Sequence, residues 1–280
     1  MRVLVTGSSG QLGKAVVEVF FKNNIDVYPI PHTRLDITDR RAVEDIIKAY
    51  LPEIVINCSA LTDVDLCERE KDRAYKVNAL GPKNLAIVSE KYNIHLIHIS
   101  TDYVFDGEKE TPYTEFDNPN PINIYGKSKL EGEYFVERFS KRYTIVRTSW
   151  LYGDGNNFVR KMIEKAKKEK VLKVVDDQFG SPTYTYDVAK ALLNIAKDGA
   201  YGLYHCANKG VVSRFEEAKF IVEKLGLNVE VIPVKSEDYP TPAKRPKYTP
   251  LENYLLELEG IFYARSWELA MEDFLRGEDL

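Results

Sequence analysis

The chain opens on Arg2-Val3-Leu4-Val5-Thr6, a short apolar, β-branched run that leads straight into Gly7-Ser8-Ser9-Gly10-Gln11-Leu12-Gly13. Leu12, Ala15, Val16, Val19 and Phe20 then recur at helical spacing. This is the pattern of a strand, a tight turn and a helix. Gly7 suits a strained turn, Gly10 lets backbone approach a pyrophosphate, and Gly13 allows close helix packing, with Ser9, Gln11 and Leu12 completing a turn that aims the helix N-terminus at phosphates. The spacing is G-x-x-G-x-x-G, not the G-x-G-x-x-G of many dehydrogenases. A purely structural glycine turn is the competing reading, and the motif's place directly after the first strand favours a dinucleotide site.

Strands and helices alternate through the first half. Asp26–Ile30 reads as the second strand, 38–50 as a helix, 54–57 as the third strand and 95–100 as the fourth. The intervening stretch 68–92 reads as one helical pattern interrupted near Gly81-Pro82. Residues 125–139 then form a helix and 143–149 the fifth strand. Such alternation predicts an α/β fold, a Rossmann-type doubly wound parallel sheet over residues 1–150 with helices on both faces. From 151 to 280 the rhythm changes, with helices expected near 157–169, 186–196 and 213–225. This part is expected to form mainly a smaller C-terminal substrate lobe, with segments at about 171–207 returning to the first domain, so the boundary is discontinuous.

A chain of 280 residues with net charge −4 can bury a large core, and it carries no basic run of the kind that tracks a phosphate backbone. No nucleic-acid partner is expected. No stretch approaches the roughly 20 apolar residues that span a bilayer, and the N-terminus begins directly with a strand, so a cytoplasmic protein without membrane association is expected. Cys58, Cys67 and Cys206 are too scattered for a disulfide framework, and no metal-ligand spacing occurs, so no metal is expected.

Ligands of open α/β sheets gather beyond the carboxyl ends of the strands. The fourth strand ends in Ser100-Thr101-Asp102, and the following helix carries Tyr125 and Lys129, four residues apart and on one face. A hydroxyl, a phenol and an ammonium can converge there on one carbonyl oxygen. Ketone reduction needs such a trio, because hydride arrival leaves an alkoxide to stabilise and protonate. Tyrosine ordinarily titrates near 10, and Lys129 is expected to bring it down into the range of a general acid. An isolated Y-x-x-x-K would more often be an exposed helix pair; the upstream glycine turn and the position after strand four favour the functional reading.

These features resemble the extended short-chain dehydrogenase/reductase superfamily, and more closely its dTDP-4-dehydrorhamnose reductase family, over nearly the whole chain. The glycine and Y-x-x-x-K motifs mark only the superfamily. Ser100-Thr101-Asp102-Tyr103-Val104-Phe105-Asp106-Gly107 and Arg147-Thr148-Ser149-Trp150-Leu151-Tyr152-Gly153 are much more specific, supported by Asp177 to Thr183 and Arg245-Pro246. The resemblance implies reduction of dTDP-4-dehydro-L-rhamnose, a dTDP-linked 4-keto-6-deoxy sugar, to dTDP-L-rhamnose. It makes Thr101, Tyr125 and Lys129 the catalytic trio, with Tyr125 and Lys129 also touching cofactor. Cys58, Ser59 and Ala60 become the small residues beside the cofactor. Thr62, Val64, Thr101, Asp102 and Trp150 become substrate contacts, and Arg245 is a candidate partner for a substrate phosphate.

The second strand ends in Pro31-His32-Thr33-Arg34, without the acid that binds the ribose of NAD. NADPH is therefore the expected cofactor, with NADH also open, and His32, Thr33 and Arg34 around the extra phosphate. Arg34 as a solvated loop charge is the alternative. Asp36 and Ile37 match the family's adenine-contact position. Two other functions share these motifs: an NADP-binding regulatory protein similar to the methionine adenosyltransferase regulatory beta subunit, and another nucleotide-sugar 4-ketoreductase or epimerase. The oligomeric state is left open by the sequence, a homodimer being among the states available to it.

Overall fold

The computed structural model describes residues 1–277; the last three residues of the expected lobe lie outside the described residues. Its first half runs β1 (Arg2–Thr6), α1 (Gln11–Lys22), β2 (Asp26–Ile30), α2 (Arg40–Tyr50), β3 (Ile54–Asn57), α3 (Val64–Arg69), α4 (Lys71–Tyr75), a π-helical turn (Lys76–Leu80), α5 (Gly81–Lys91), β4 (His95–Thr101), α6 (Ile124–Phe139) and β5 (Tyr143–Thr148). The second half runs β6 (Leu151–Tyr152), α7 (Phe158–Ala166), β7 (Val171–Val175), β8 (Phe179–Gly180), β9 (Thr183–Tyr184), α8 (Thr185–Asp198), β10 (Gly202–His205), β11 (Val212–Ser213), α9 (Arg214–Lys224), β12 (Glu230–Val234), α10 (Tyr254–Leu258) and α11 (Trp267–Arg276).

Six strands form one sheet in the order β10-β5-β4-β3-β1-β2, and every pairing in it is parallel. The strands read as continuous apolar runs because both faces are covered. Val3, Val5, Ile56, Ile97 and Val146 pack on one face with α1 and α8. Leu4, Val55, Leu96 and Ile145, the alternate residues, pack on the other with Val43 of α2, Leu85 of α5 and Val136 of α6. β1 has β2 on one side and β3 on the other, so the order reverses there and a crevice opens beyond their carboxyl ends.

The single interrupted helix expected over 68–92 is instead four segments. α3 ends at Arg69, α4 follows, and the π-helical turn leads into α5. Gly81-Pro82 opens α5, where a first-turn proline costs no hydrogen bond. The helix expected from 38 begins at Arg40, because the Asp39 side chain accepts from the Arg41 and Ala42 amides.

The stretch 171–207 divides. β7 pairs in parallel with β12, away from the main sheet, whereas α8 packs on α1 and β10 forms the sheet edge beside β5. Two further short pairs, β8 with β11 and β6 with β9, complete the smaller lobe. Its core gathers Tyr152, Met162, Leu172, Ile221, Trp267 and Phe274.

Candidate active site

Beyond β1, Gly7 takes φ +64°, a left-handed conformation that side chains disfavour. A Cβ at Gly13 would lie 2.3 Å from the Gly7 carbonyl oxygen, so the first turn of α1 presses against the loop that precedes it. Gly10 caps α1 without any side-chain acceptor for the first amides. These amides and their dipole face a cleft of about 460 Å³ whose wall includes Ser9, Gly10, Gln11, Leu12 and Gly13. Free helix-terminal amides beside small residues fit the diphosphate of a dinucleotide.

The same cleft is walled by Cys58, Ser59, Ala60 and Thr62 after β3, by Thr101 and Asp102 after β4, by Tyr125 and Lys129 on α6, and by Trp150 after β5. α6 reaches this position because Asn123 caps it by accepting from the Gly126 amide at 2.8 Å. Gly126 also lies so close to Tyr103 that a Cβ would stand 2.0 Å from its carbonyl oxygen. Tyr125 is thereby brought into the same cleft wall as Thr101. Thr101 Oγ1 donates to Asp102 Oδ1 at 3.0 Å. Asp102 accepts in addition from Thr249 Oγ1 at 2.6 Å and Ser149 Oγ at 3.1 Å.

Burial governs the protonation of this cluster. It raises the Tyr125 phenol above its ordinary value, opposed by the Thr101 hydroxyl and reinforced by Asp102. The expected lowering of that phenol by Lys129 is therefore corrected. Lys129 Nζ donates to the Ile99 carbonyl at 2.6 Å, and burial brings the ammonium down to about 8, with Glu133 opposing. Burial likewise pushes Asp102 up to about 6, against its three hydroxyl donors. It takes the Cys58 thiol up to about 12, which leaves that side chain a neutral wall.

A second cavity of about 560 Å³ continues from Gly7, Ser9 and Gly10 toward the end of β2. His32, Asp36 and Ile37 line it; Thr33 and Arg34 do not. Arg34 is exposed and donates from Nη2 to Tyr50 Oη at 3.1 Å, a partner that no local pattern announces. Asp36 accepts from the Thr38 amide at 2.9 Å, which holds its carboxyl below the usual range. Arg73 and Lys76 face this cavity and were not singled out in the sequence. The only signal for them is their place in the first helical segments after the Cys58–Ala60 wall.

On the substrate side, Thr62 and Trp150 reach the cleft, whereas Val64 opens α3 outside its wall. Trp150 takes φ +42°, a strained conformation for a bulky residue, and the Arg214 guanidinium stacks 3.3 Å from its ring centroid. Arg245 does not stand free for a phosphate. Its guanidinium grips Asp65 through two bonds of 2.6 and 2.9 Å. It lines a separate hollow of about 560 Å³ together with Lys173, Lys244 and Lys247. Thr249 and Arg214 also escaped the sequence reading, since their partners Asp102 and Trp150 are remote in the chain.

Among the described residues there is no group of three or more His, Cys, Asp or Glu able to hold a metal ion. No helix among them is long and apolar enough to cross a membrane.

The family model described as the RmlD substrate binding domain matches residues 1–279. A dTDP-4-dehydrorhamnose reductase of Mycobacterium tuberculosis is 41% identical over 278 residues, covering 96% of this chain and 91% of that protein. A crystal structure of a dTDP-4-dehydrorhamnose reductase from Clostridium acetobutylicum superposes with a TM-score of 0.97 at 46% identity, covering 99% of both chains. The enzyme of that name from Bacillus anthracis, solved in complex with NADP, gives 0.96 at 43% identity and 99% of both chains. UDP-glucose 4-epimerase from Thermus thermophilus, 22% identical with a TM-score of 0.84, shares the fold. The chain belongs to the RmlD substrate binding domain family, that of the dTDP-4-dehydrorhamnose reductases.

Proposed function

We propose that the chain reduces dTDP-4-dehydro-L-rhamnose to dTDP-L-rhamnose with NADPH. The observation that carries this reading is the meeting of Thr101, Tyr125 and Lys129 in one cleft with the free amides of α1. NADPH supplies the hydride to the sugar's C4. Gly10 to Gly13 and the Cys58–Ala60 wall bind and orient the dinucleotide. The missing acid at the end of β2 favours the phosphorylated cofactor, and Arg73 and Lys76 provide positive charge along the cavity at that end.

Thr101, whose hydroxyl proton lies on Asp102 in the free site, turns it to donate to the ketone oxygen when substrate is bound. Tyr125 stays a neutral phenol at physiological pH, since burial holds its proton, and donates that proton as charge develops on the oxygen. Lys129, buried beside it, lends positive charge as the phenolate forms. Trp150 offers a face to the sugar, and the hollow with Lys173, Lys244 and Lys247 suits the nucleotide diphosphate.

Mixing the protein with NADPH and dTDP-4-dehydro-L-rhamnose should deplete nicotinamide absorbance. Tyr125→Phe should lower kcat about 10²- to 10⁴-fold while leaving NADP affinity in place. NADP binding without reduction of any 4-keto sugar nucleotide would overturn the proposal and favour a regulatory binding protein.

A further inference from the structure

Glu133 lies outside the cleft wall, yet its carboxylate joins the three elements that carry the site. It is 2% exposed and sits on α6 one turn beyond Lys129 and two beyond Tyr125, on the same face. Its Oε1 accepts from the Ser100 hydroxyl, which belongs to the β4 residue immediately before Thr101. Arg147 of β5 donates to it from Nε at 3.0 Å and Nη2 at 2.7 Å. Arg147, 3% exposed, leads into Thr148, Ser149 and Trp150, and its guanidinium lies 5.3 Å from the Phe105 ring centroid.

A buried ion pair of this kind gives little net stability over an apolar replacement, so a role in the site accounts for it better than stability does. Its field also travels far in a low-dielectric interior.

We propose that Glu133 is a positioning residue for the reduction: it clamps α6 to β4 and β5, so that Tyr125 meets Thr101, and it sets a carboxylate on the helix face one turn from Lys129. The inference rests on the function proposed above. Of the groups around Lys129, Glu133 is the carboxylate that offsets the burial of its charge. Tyr125 on α6 holds its proton. The Cys58 thiol after β3 is neutral below about 12. His98 on β4 is held uncharged by burial, with Lys129 adding to the effect. Asp102, in the same cleft wall, is an anion above about 6 and is turned to three hydroxyls, and Arg147 on β5 is the counter-charge of Glu133 itself. Glu133 is the acid that holds Lys129 up against burial.

The test is the Lys129 pKa in the full-length protein, followed by ¹³C NMR of lysine Cε and assigned with Lys129→Arg. Glu133→Gln should lower that pKa by about one pH unit and move the alkaline limb of kcat/KM down by the same amount, whereas Glu133→Asp should restore most of both. If Glu133→Gln fails to fold, Glu133→Gln/Arg147→Gln removes both charges and should still lower the Lys129 pKa. An unchanged Lys129 pKa in a folded variant overturns the proposal. Absence of turnover in the parent protein would instead count against the proposed function, and the NMR titration would still decide the role of Glu133.

Discussion

The two sides of the cleft are held by different means. On the cofactor side, backbone meets backbone: Gly13 abuts the Gly7 carbonyl, Gly126 abuts that of Tyr103, and parallel strands end in register around them. On the substrate side, and where the smaller lobe meets the main sheet, side chains from distant parts of the chain grip one another: Asp65 with Arg245 and Asp102 with Thr249 in the first, Asp187 of α8 with Arg265 before α11 in the second. A backbone-built site tolerates little added bulk but is laid out by local sequence. A side-chain-built site depends on charges and hydroxyls whose partners lie 78 to 180 residues away.

The sharpest way to break this contrast is at Asp187, a buried acid that accepts from Arg265 Nε at 2.8 Å and Asn208 Nδ2 at 2.9 Å. Asp187→Ala should cost about 3 kcal/mol in urea unfolding, because Asn208 and Arg265 lose their acceptor.

Next comes Asp102, raised by burial from an ordinary 3.8 to about 6. The folded chain keeps this proton where the unfolded chain has released it, so stability from this group falls as pH climbs from about 4 to 6. At 1.36 kcal/mol per pH unit the loss is about 3 kcal/mol. The stability of Asp102→Asn relative to the parent should therefore rise by about that amount between pH 4 and pH 7, and a constant difference would refute the shift.

Gly13→Ala should cost about 1–3 kcal/mol and weaken NADP binding about tenfold or more, as the turn is forced off α1. If the methyl group were accommodated with stability and NADP binding both unchanged, the contrast between the two sides would fail. The smallest effect tests the cofactor's distal end. Lys76→Ala should weaken 2′,5′-ADP a few-fold more than 5′-ADP, at about 1 kcal/mol or less, and Arg34→Ala should discriminate less between them in the same calorimetric titration.

This contrast also explains what could be read from the chain. β1 to β5 were legible because strands covered on both faces must be apolar throughout, and the glycine turn because its geometry is local. The break between α3 and α5 was misplaced because Gly81-Pro82 looks like an interruption, whereas proline is at home in a first turn. Arg34 and Arg245 both have the charge that suits a phosphate, but Tyr50 and Asp65 claim them, and sequence spacing reveals neither partner. The trio was named from its residue types. The upward shift of Tyr125 was not legible, since desolvation is a property of the assembled cleft.

The π-helical turn at Lys76–Leu80 has one more implication. Within it, Asn78 accepts from the Leu61 amide at 2.8 Å and donates to the Leu61 carbonyl and Ser128 Oγ, both at 3.1 Å. Two turns later Asn84 donates to the carbonyls of Ile37 and Thr38 at 3.1 and 3.0 Å. One helical path thus holds the loop after β3 and the loop after β2 at once. The wider π-helical winding takes up one more residue per turn than an α-helix does, and Asn78 sits inside that turn. The turn that carries Lys76 into the dinucleotide cavity is thus also the one whose Asn78, with Asn84 beyond it, ties together the two loops that wall that cavity.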